Sequence, residues 1–273
     1  QSGFKILKKG RKNNSLYLSK IGDIKMILHR KIDGKIKQLI MKKEIDNWYV
    51  IFQTDAIIKN KCGKKVIGID MSPSSFGVTS ENVKLEMPKE IDTTLSQLKK
   101  CHRNLSKKKK RSKNRLKARK RLQKKYWKLN NQKHNFYHQT SFKLVKECKT
   151  IGIEDLDIKN LMMQNYNATN FQRNGWSTFI NKYLIYKAES AGCQVWSCDR
   201  FEPTSKTCSS CGYVNNKLKL SDRIFKCPKC NLNIDRDLNA SINIKKTCRL
   251  GTNLCGVDTS LIEKLKVSAR NQK

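Results

Sequence analysis

The chain has 273 residues, with 59 Lys and Arg against 22 Asp and Glu, for a formal net charge of +37. That length supports one or two cored domains, and the charge far exceeds what solubility asks for, so a densely anionic partner such as nucleic acid is implied. No apolar run reaches membrane-spanning length and no basic amphipathic helix ends in Trp or Phe anchors, which argues against a membrane.

Residues 1–66 read as β-rich. The runs ILHRKI, KQLIMKKE and NWYVIFQTDA are β-prone, with Asp33-Gly34 and Asp46-Asn47 between them. Asp33-Gly34 has the composition of a hairpin turn. The chain opens on QSGFKILKKGRKNN, with neither an initiator Met nor a helix cap, as if inside a longer element. VIGID then forms a short apolar strand ending on Asp70, followed by turn residues and a second short strand, FGVTS. Taken alone, Asp70 reads equally as a turn cap.

Residues 99–128 hold seventeen Lys or Arg in thirty positions and no acid. Leu105, Leu116, Leu122, Tyr126, Trp127 and Leu129 permit helices, and the pattern continues through Phe136, Phe142, Leu144 and Val145. The expectation is a basic helical hairpin over 95–145 with its turn near Ser112–Asn114. Such helices grip phosphates, giving affinity and steep salt dependence without sequence readout.

TIGIEDLDIKNL (150–161) repeats the earlier theme: an apolar strand ends on Glu154, with Asp155 beside it. In 174–192, Trp176, Phe179, Ile180, Tyr183, Leu184 and Lys187 lie at helical spacing before Gly192, a stripe that reads as core packing. CQVWSCDRFEP (193–203) reads as another strand. It leads into Cys208-x2-Cys211, fifteen residues, and Cys227-x2-Cys230. Two Cys-x2-Cys turns at that spacing make a four-thiolate site for structural Zn²⁺. The other seven cysteines (Cys62, Cys101, Cys148, Cys193, Cys198, Cys248, Cys255) are scattered, which suits thiols in a reducing, intracellular compartment better than a disulfide framework. DRDLNASINIKK follows as a helix start, with Asp237 in its first turns.

Three carboxylates therefore share a setting: Asp70 and Glu154 at the ends of apolar strands, and Asp237 at a helix start. Polynucleotide cleavage by divalent metal uses such a set, because hard oxygen ligands hold Mg²⁺ while it activates water and stabilises the leaving oxygen. In so basic a protein, a local acidic cluster also needs a cation to offset its self-repulsion.

The stretches IGIDMSPSSFGVTS, LSKKKKRSKNRLKARKR, IGIEDLDIKNL, NGWSTFINKYLIYKAESAG, FEPTSKTCSSCGYVNNKLKLSDRIFKCPKC and DRDLNASINI resemble, in order, those of the TnpB (OrfB) proteins of insertion sequences, kin to type V CRISPR nucleases. The resemblance covers about residues 16–246. It implies an α/β chain with a RuvC-like nuclease of RNase H fold and an inserted four-cysteine zinc ribbon, preceded by a partial β-barrel (WED-like) segment. The implied divisions are 1–63 for the barrel segment, 64–206 for the nuclease, 207–232 for the ribbon, 233–248 for the last nuclease segment and 249–273 for a tail. Carried over residue by residue, Asp70, Glu154 and Asp237 match the catalytic acids, which would bind magnesium or manganese, and Cys208, Cys211, Cys227 and Cys230 match the zinc ligands. Asp235, Arg236 and Asn239 match positions that shape the site. The resemblance further implies a guide RNA from the chain's own element and a DNA target cut by metal-dependent hydrolysis.

Two departures from the family pattern stand out. The family's N-terminal helical insertion and first barrel strands have no counterpart here, as in an N-terminally truncated member. Its Arg and Asp near QKHNFYHQTS are Lys133 and Asn135, with His138 retained, so a charge bridge is expected to be lost. The alternative to a nuclease is a remnant that binds RNA or DNA without cutting it. A strand-transfer transposase could use the same acids but fits the ribbon and DRDLNASINI less well.

Overall fold

The computed structural model describes residues 3–8, 14–56, 60–73, 75–157, 163, 168–219, 221–248 and 252–255. The chain divides into two units, Gln1–Ile58 and Lys59–Lys273.

The first unit is all β. Strands β1 (Phe4–Lys8), β2 (Asn14–Leu18) and β3 (Gly22–Met26) form an antiparallel meander, and β4 (Ile36–Glu44) pairs with β5 (Asn47–Thr54) as a hairpin. Two sequence expectations change here. ILHRKI (27–32) lies wholly between β3 and β4 and is not a strand, and Asp33-Gly34 joins no hairpin. Gly34 instead takes a left-handed φ of +79° against Asp55 and Ala56, and the Asp55 carboxylate accepts the N–H of Lys35 at 2.7 Å. The hairpin turn falls at Ile45 and Asp46, with Ile45 at φ +55°. β4 is long enough to carry its polar, Lys-rich stretch through to that point.

The second unit is built on a six-stranded mixed sheet of order β13-β10-β9-β6-β7-β8. Its strands are β6 (Lys65–Asp70), β7 (Gly77–Thr79), β8 (Lys84–Leu85), β9 (Cys148–Glu154), β10 (Gln194–Cys198) and β13 (Thr252–Asn253). β6, β9 and β10 are parallel and central, and the sheet edges are antiparallel. Buried on both faces, the parallel strands read as nearly continuous apolar runs.

One face carries Ile67, Ile69, Ile151, Ile153 and Val195. It packs against α2 (Lys113–Glu147) and a helix that runs as α4 (Trp176–Phe179), a π turn (Ile180–Leu184) and α5 (Ile185–Ala191). Phe76 anchors this layer, meeting Phe136 and Phe179 edge-on at 5.0 Å each. Trp176, Phe179 and Leu184 are fully buried as the helical spacing predicts, whereas Phe142 is exposed. α1 (Lys89–Ser106) lies along α2 as the basic hairpin. Its turn covers 107–112, slightly before the expected place, because Ser112 caps α2 by accepting the N–H of Arg115. The Arg115 guanidinium in turn donates to the carbonyls of Leu105 and Lys108 at the end of α1. α3 (Ala168–Asn174) precedes α4.

The opposite face is reserved for one helix, α6 (Arg236–Thr247). Gly68 and Gly152 are cross-strand partners on β6 and β9. A Cβ at Gly68 would strike the backbone of Ser241 and Lys245, and one at Gly152 would lie 2.6 Å from Cβ of Cys248. Only glycine lets the helix lie this close. Among the described residues, no helix is long and apolar enough to cross a membrane.

Gly68→Ala is accordingly expected to destabilise the second unit by about 3 kcal/mol, the cost of overpacking against backbone that has no side chain to yield. Urea unfolding followed by tryptophan fluorescence measures it. A loss under about 0.5 kcal/mol, the range of an ordinary surface substitution, would contradict the close approach.

Candidate functional site

Side chains alternate along a strand. Asp70 and Glu154 each stand two residues after a glycine of the pair, and so share the α6 face of the sheet. They end adjacent parallel strands, in register through Ile69 and Ile153. Asp237 enters from the first turn of α6. The Asp235 carboxylate caps that helix, accepting the N–H groups of Asp237 at 2.9 Å and Leu238 at 3.1 Å. Three acids far apart in the sequence thus lie close enough for their charges to act on one another.

Their electrostatics are strained. Burial pushes the Asp70 carboxyl well above its usual range, and the charges of Glu154 and Asp237 push it further, with Arg236 opposing. Burial also raises Glu154. The hydroxyl of Thr204, donating to Glu154 Oε1 at 2.7 Å, draws it back, and Asp237 raises it again. Arg236 is thus the cation set among these carboxylates. Its guanidinium also donates to the carbonyls of Lys219 at 3.2 Å and Asp222 at 3.3 Å.

The chain around the acids is pinned. After Asp70, the buried Asn174 amide donates to the Ser75 carbonyl at 3.2 Å, and the Trp176 indole donates to the Phe76 carbonyl at 3.0 Å. On α6, Asn243 donates to the carbonyls of Thr204 and Thr207, while Asn239 donates to Thr207 and accepts the N–H of Ser209. Lys246 donates to the Ser209 carbonyl. Arg200 bridges Asp155 at 3.0 Å and Asp157 at 3.4 Å beside Glu154.

The four cysteines meet as expected. Two knuckles share one pattern: the N–H of Gly212 donates to the Cys208 carbonyl, and the N–H of Asn231 to the Cys227 carbonyl, each at 3.0 Å. Gly212 and Asn231 both take left-handed φ, +75° and +58°, conformations that Gly and Asn tolerate. The Cys208–Cys230 and Cys211–Cys227 sulfurs lie 3.5 Å apart, and all four sulfurs are within 4.8 Å of one another. Thiolates around a tetrahedral zinc with Zn–S of about 2.3 Å stand about 3.8 Å apart, so the donor set fits the ion. Against the cost of burial, the backbone N–H groups of Cys230 and Lys229 and the neighbouring sulfurs bring the Cys227 thiol down to about 6, while Cys230, against the N–H of Leu232, is pushed up to about 12 by burial and the other three sulfurs. Among the described residues this is the set whose donor atoms meet so closely; the three carboxylates are more loosely gathered. The other seven cysteines form no disulfide, and burial pushes Cys148 and Cys193 up to about 12.

Lys133 and Asn135 hold no shared partner. Lys133 donates to the Gln172 carbonyl at 3.0 Å, and Asn135 accepts from Gln139. Two residues apart on α2, they do not face each other. His138 accepts from Lys187 at 3.2 Å and packs edge-on to Tyr183 at 4.7 Å. Thr204, Asn174 and Asn243 have no local signal in the sequence. The repeat Ile-Gly-Ile-acid at 67–70 and 151–154 is the signal that pairs the two acidic strands.

Residues 49–165 match the family model OrfB_IS605, described as "Probable transposase", and residues 176–244 match the Cas12f1-like TNB domain. Asp70 and Glu154 lie in the first match, and the four cysteines and Asp237 in the second. A "Putative RNA-guided DNA endonuclease" of Streptomyces pristinaespiralis is 32% identical over 218 residues, covering 80% of this chain and 54% of that protein. "Putative RNA-guided DNA endonuclease InsQ" of Escherichia coli (strain K12) is 24% identical over 255 residues, covering 87% and 63%. A chain of a cryo-EM Cas12f1-sgRNA-target DNA complex gives a TM-score of 0.43 at 16% identity, over 89% of this chain and 64% of that one. The chain thus spans between half and two thirds of the length of these two relatives.

Two outcomes are expected. A carboxyl whose folded-state pKa is raised destabilises the fold above that pKa, and the penalty fades as pH falls toward the unfolded value. Asp70→Asn should therefore raise the Tm of the zinc-loaded chain, in chelator-free buffer without Mg²⁺ or Mn²⁺ at pH 8, by about 2–5 °C, with the gain shrinking at acid pH, as differential scanning fluorimetry would read. For the sulfurs, elemental analysis should find one zinc per chain, and Cys227→Ser should lower that content about tenfold or more.

Proposed function

Because this chain belongs to the OrfB/TnpB family of transposon-associated proteins, we propose that it is part of an RNA-guided, metal-dependent DNA endonuclease with a RuvC-like site on an RNase H fold. In this reading Asp70, Glu154 and Asp237 hold magnesium or manganese, and Cys208, Cys211, Cys227 and Cys230 hold structural zinc. The β-rich segment 1–63 belongs to a WED-like barrel. The observation that carries the reading is the approach of three acids, from β6, β9 and α6: burial raises Asp70 and Glu154, the charges of Glu154 and Asp237 raise Asp70 further, and that of Asp237 raises Glu154.

The donor set fits a divalent cation. All three groups are hard oxygen ligands, and burial and neighbouring negative charge disfavour the ionised forms of Asp70 and Glu154, which a divalent cation would offset. When bound, such ions supply an activated water and stabilise the leaving oxygen. The chain's own residues do the rest. β6 and β9 fix two carboxylates on a sheet held by the core, and the capped start of α6 presents the third. Arg236 offsets part of the local negative charge. The Lys- and Arg-rich surface of α1 and α2 holds the nucleic-acid backbone without reading its sequence, which in this scheme is left to base pairing with the guide.

The test is cleavage of a labelled single-stranded DNA and of a supercoiled plasmid, with Mg²⁺ or Mn²⁺, with and without RNA transcribed from the chain's own element. Wild type is expected to nick, and Asp70→Ala or Glu154→Gln to reduce nicking by at least about 10³-fold. Binding of the same DNA by the zinc-loaded chain, without added Mg²⁺ or Mn²⁺, should change by less than about threefold, since the phosphate contacts lie elsewhere. Equal cleavage by the variants would overturn the assignment. Binding by wild type with no metal-dependent cleavage would favour a protein acting by occupancy alone.

A further inference from the structure

A strand fixes the Cα of Glu154, but a glutamate still has three side-chain torsions between its backbone and its carboxylate. On an exposed surface these would be averaged. Here they end in a specific contact: Thr204 Oγ1 donates to Oε1 at 2.7 Å. Thr204 itself is 5% exposed, fifty residues away in sequence, on the segment that enters the cysteine ribbon.

That segment is unusually well held. The Thr204 N–H donates to the Glu202 carbonyl at 2.8 Å, and the Pro203 carbonyl accepts from the backbone of Lys206 and Thr207 and from the Thr207 hydroxyl. The Thr204 carbonyl accepts from the Asn243 amide at 2.8 Å, and the same amide reaches the Thr207 carbonyl at 2.7 Å. Asn239 grips Thr207 and Ser209 from the preceding turn of α6. Both asparagines are buried, and both stand on the helix that carries Asp237. The hydroxyl that meets Glu154 is therefore referenced to the same scaffold as the third acid.

We propose that Thr204 is the positioning residue for Glu154: its hydroxyl claims one carboxylate oxygen and sets the orientation in which the other faces the divalent ion, relative to α6. A threonine suits this task. Its single O–H donates to the ionised carboxylate, a charge-assisted bond, while its branched Cβ leaves few rotamers to choose among. Partners of metal-ligating carboxylates tune affinity in this way without touching the ion. The inference rests on Glu154 being a ligand of that ion, and the experiment separates the two statements.

Mn²⁺ alone is titrated into the full, zinc-loaded chain by calorimetry, for wild type, Thr204→Val, Thr204→Ser and Glu154→Gln. Val keeps the volume and branching and removes the hydroxyl; Ser keeps the hydroxyl and removes the methyl. Thr204→Val is expected to weaken Mn²⁺ binding by about 10–100-fold, with Thr204→Ser within about threefold of wild type and zinc content unchanged in both. A role in packing alone would give the reverse, because Val would preserve it. Should Thr204→Val lose zinc or fail to fold, Thr204→Ala against Thr204→Ser supplies the same contrast. Wild-type affinity in the hydroxyl-free variant, with Glu154→Gln impaired, would overturn the role of Thr204. Equal losses in the Val and Ser variants would overturn it as well. Wild-type affinity in Glu154→Gln would instead overturn the carboxylate reading on which the inference rests.

Discussion

Carboxylates that repel one another at the ends of β6 and β9 set the terms for everything packed around them. Asp70 and Glu154 are adjacent by strand register, and the close seat of α6 on Gly68 and Gly152 brings Asp237 to the same end. Left to itself such a cluster would open or take up protons, since burial and like charge both disfavour the ionised forms. The surrounding structure resists by fixing backbone rather than by neutralising charge. Glycines remove the space between sheet and helix, Asn174 and Trp176 hold the turn after Asp70, and Asn239 and Asn243 fasten the chain beyond β10 to α6. Like charge and burial at this place cost stability, which the surrounding packing offsets.

The cysteine ribbon is part of the same arrangement. Its hairpin, β11 (Ile224–Lys226) and β12 (Asn233–Asp235), runs directly into α6, so that Asp235 is at once the last strand residue and the helix cap. The ribbon's own core amounts to Cys208, Phe225 and Cys227, with Cys211, Leu218, Leu232 and Ile234 at its margin. So small a core offsets little of the entropy of ordering the loop, and the meeting of four sulfurs is where a structural metal would add to it. Arg236 then ties the ribbon to the acids, reaching the carbonyls of Lys219 and Asp222 on one side while its charge acts on Asp70 and Glu154 on the other.

Charge is divided between these regions. Basic charge is dense over residues 99–128, along α1, α2 and the turn between them, which present few buried positions, whereas Asp70 and Glu154 lie on the α6 face of the sheet. Basic surface and acid cluster are thus held on different faces of one sheet.

Much of this could be read from the sequence, and the reason is locality. A Cys-x2-Cys knuckle is a turn, and a short apolar strand that ends on an acid is a local pattern; each is decided within a few residues. Repetition of Ile-Gly-Ile-acid even pairs the two strands. Local reading also had an error: Asp33-Gly34 looked like a hairpin turn, but its geometry is set by Asp55 from just beyond β5. What the tertiary structure alone decided is which groups touch the acids. Thr204 meets Glu154 across fifty residues, and Asn174 reaches Ser75 across ninety-nine. A hydroxyl or an amide has no periodicity, and its partner is fixed only when the sheet, α6 and the ribbon close upon one another.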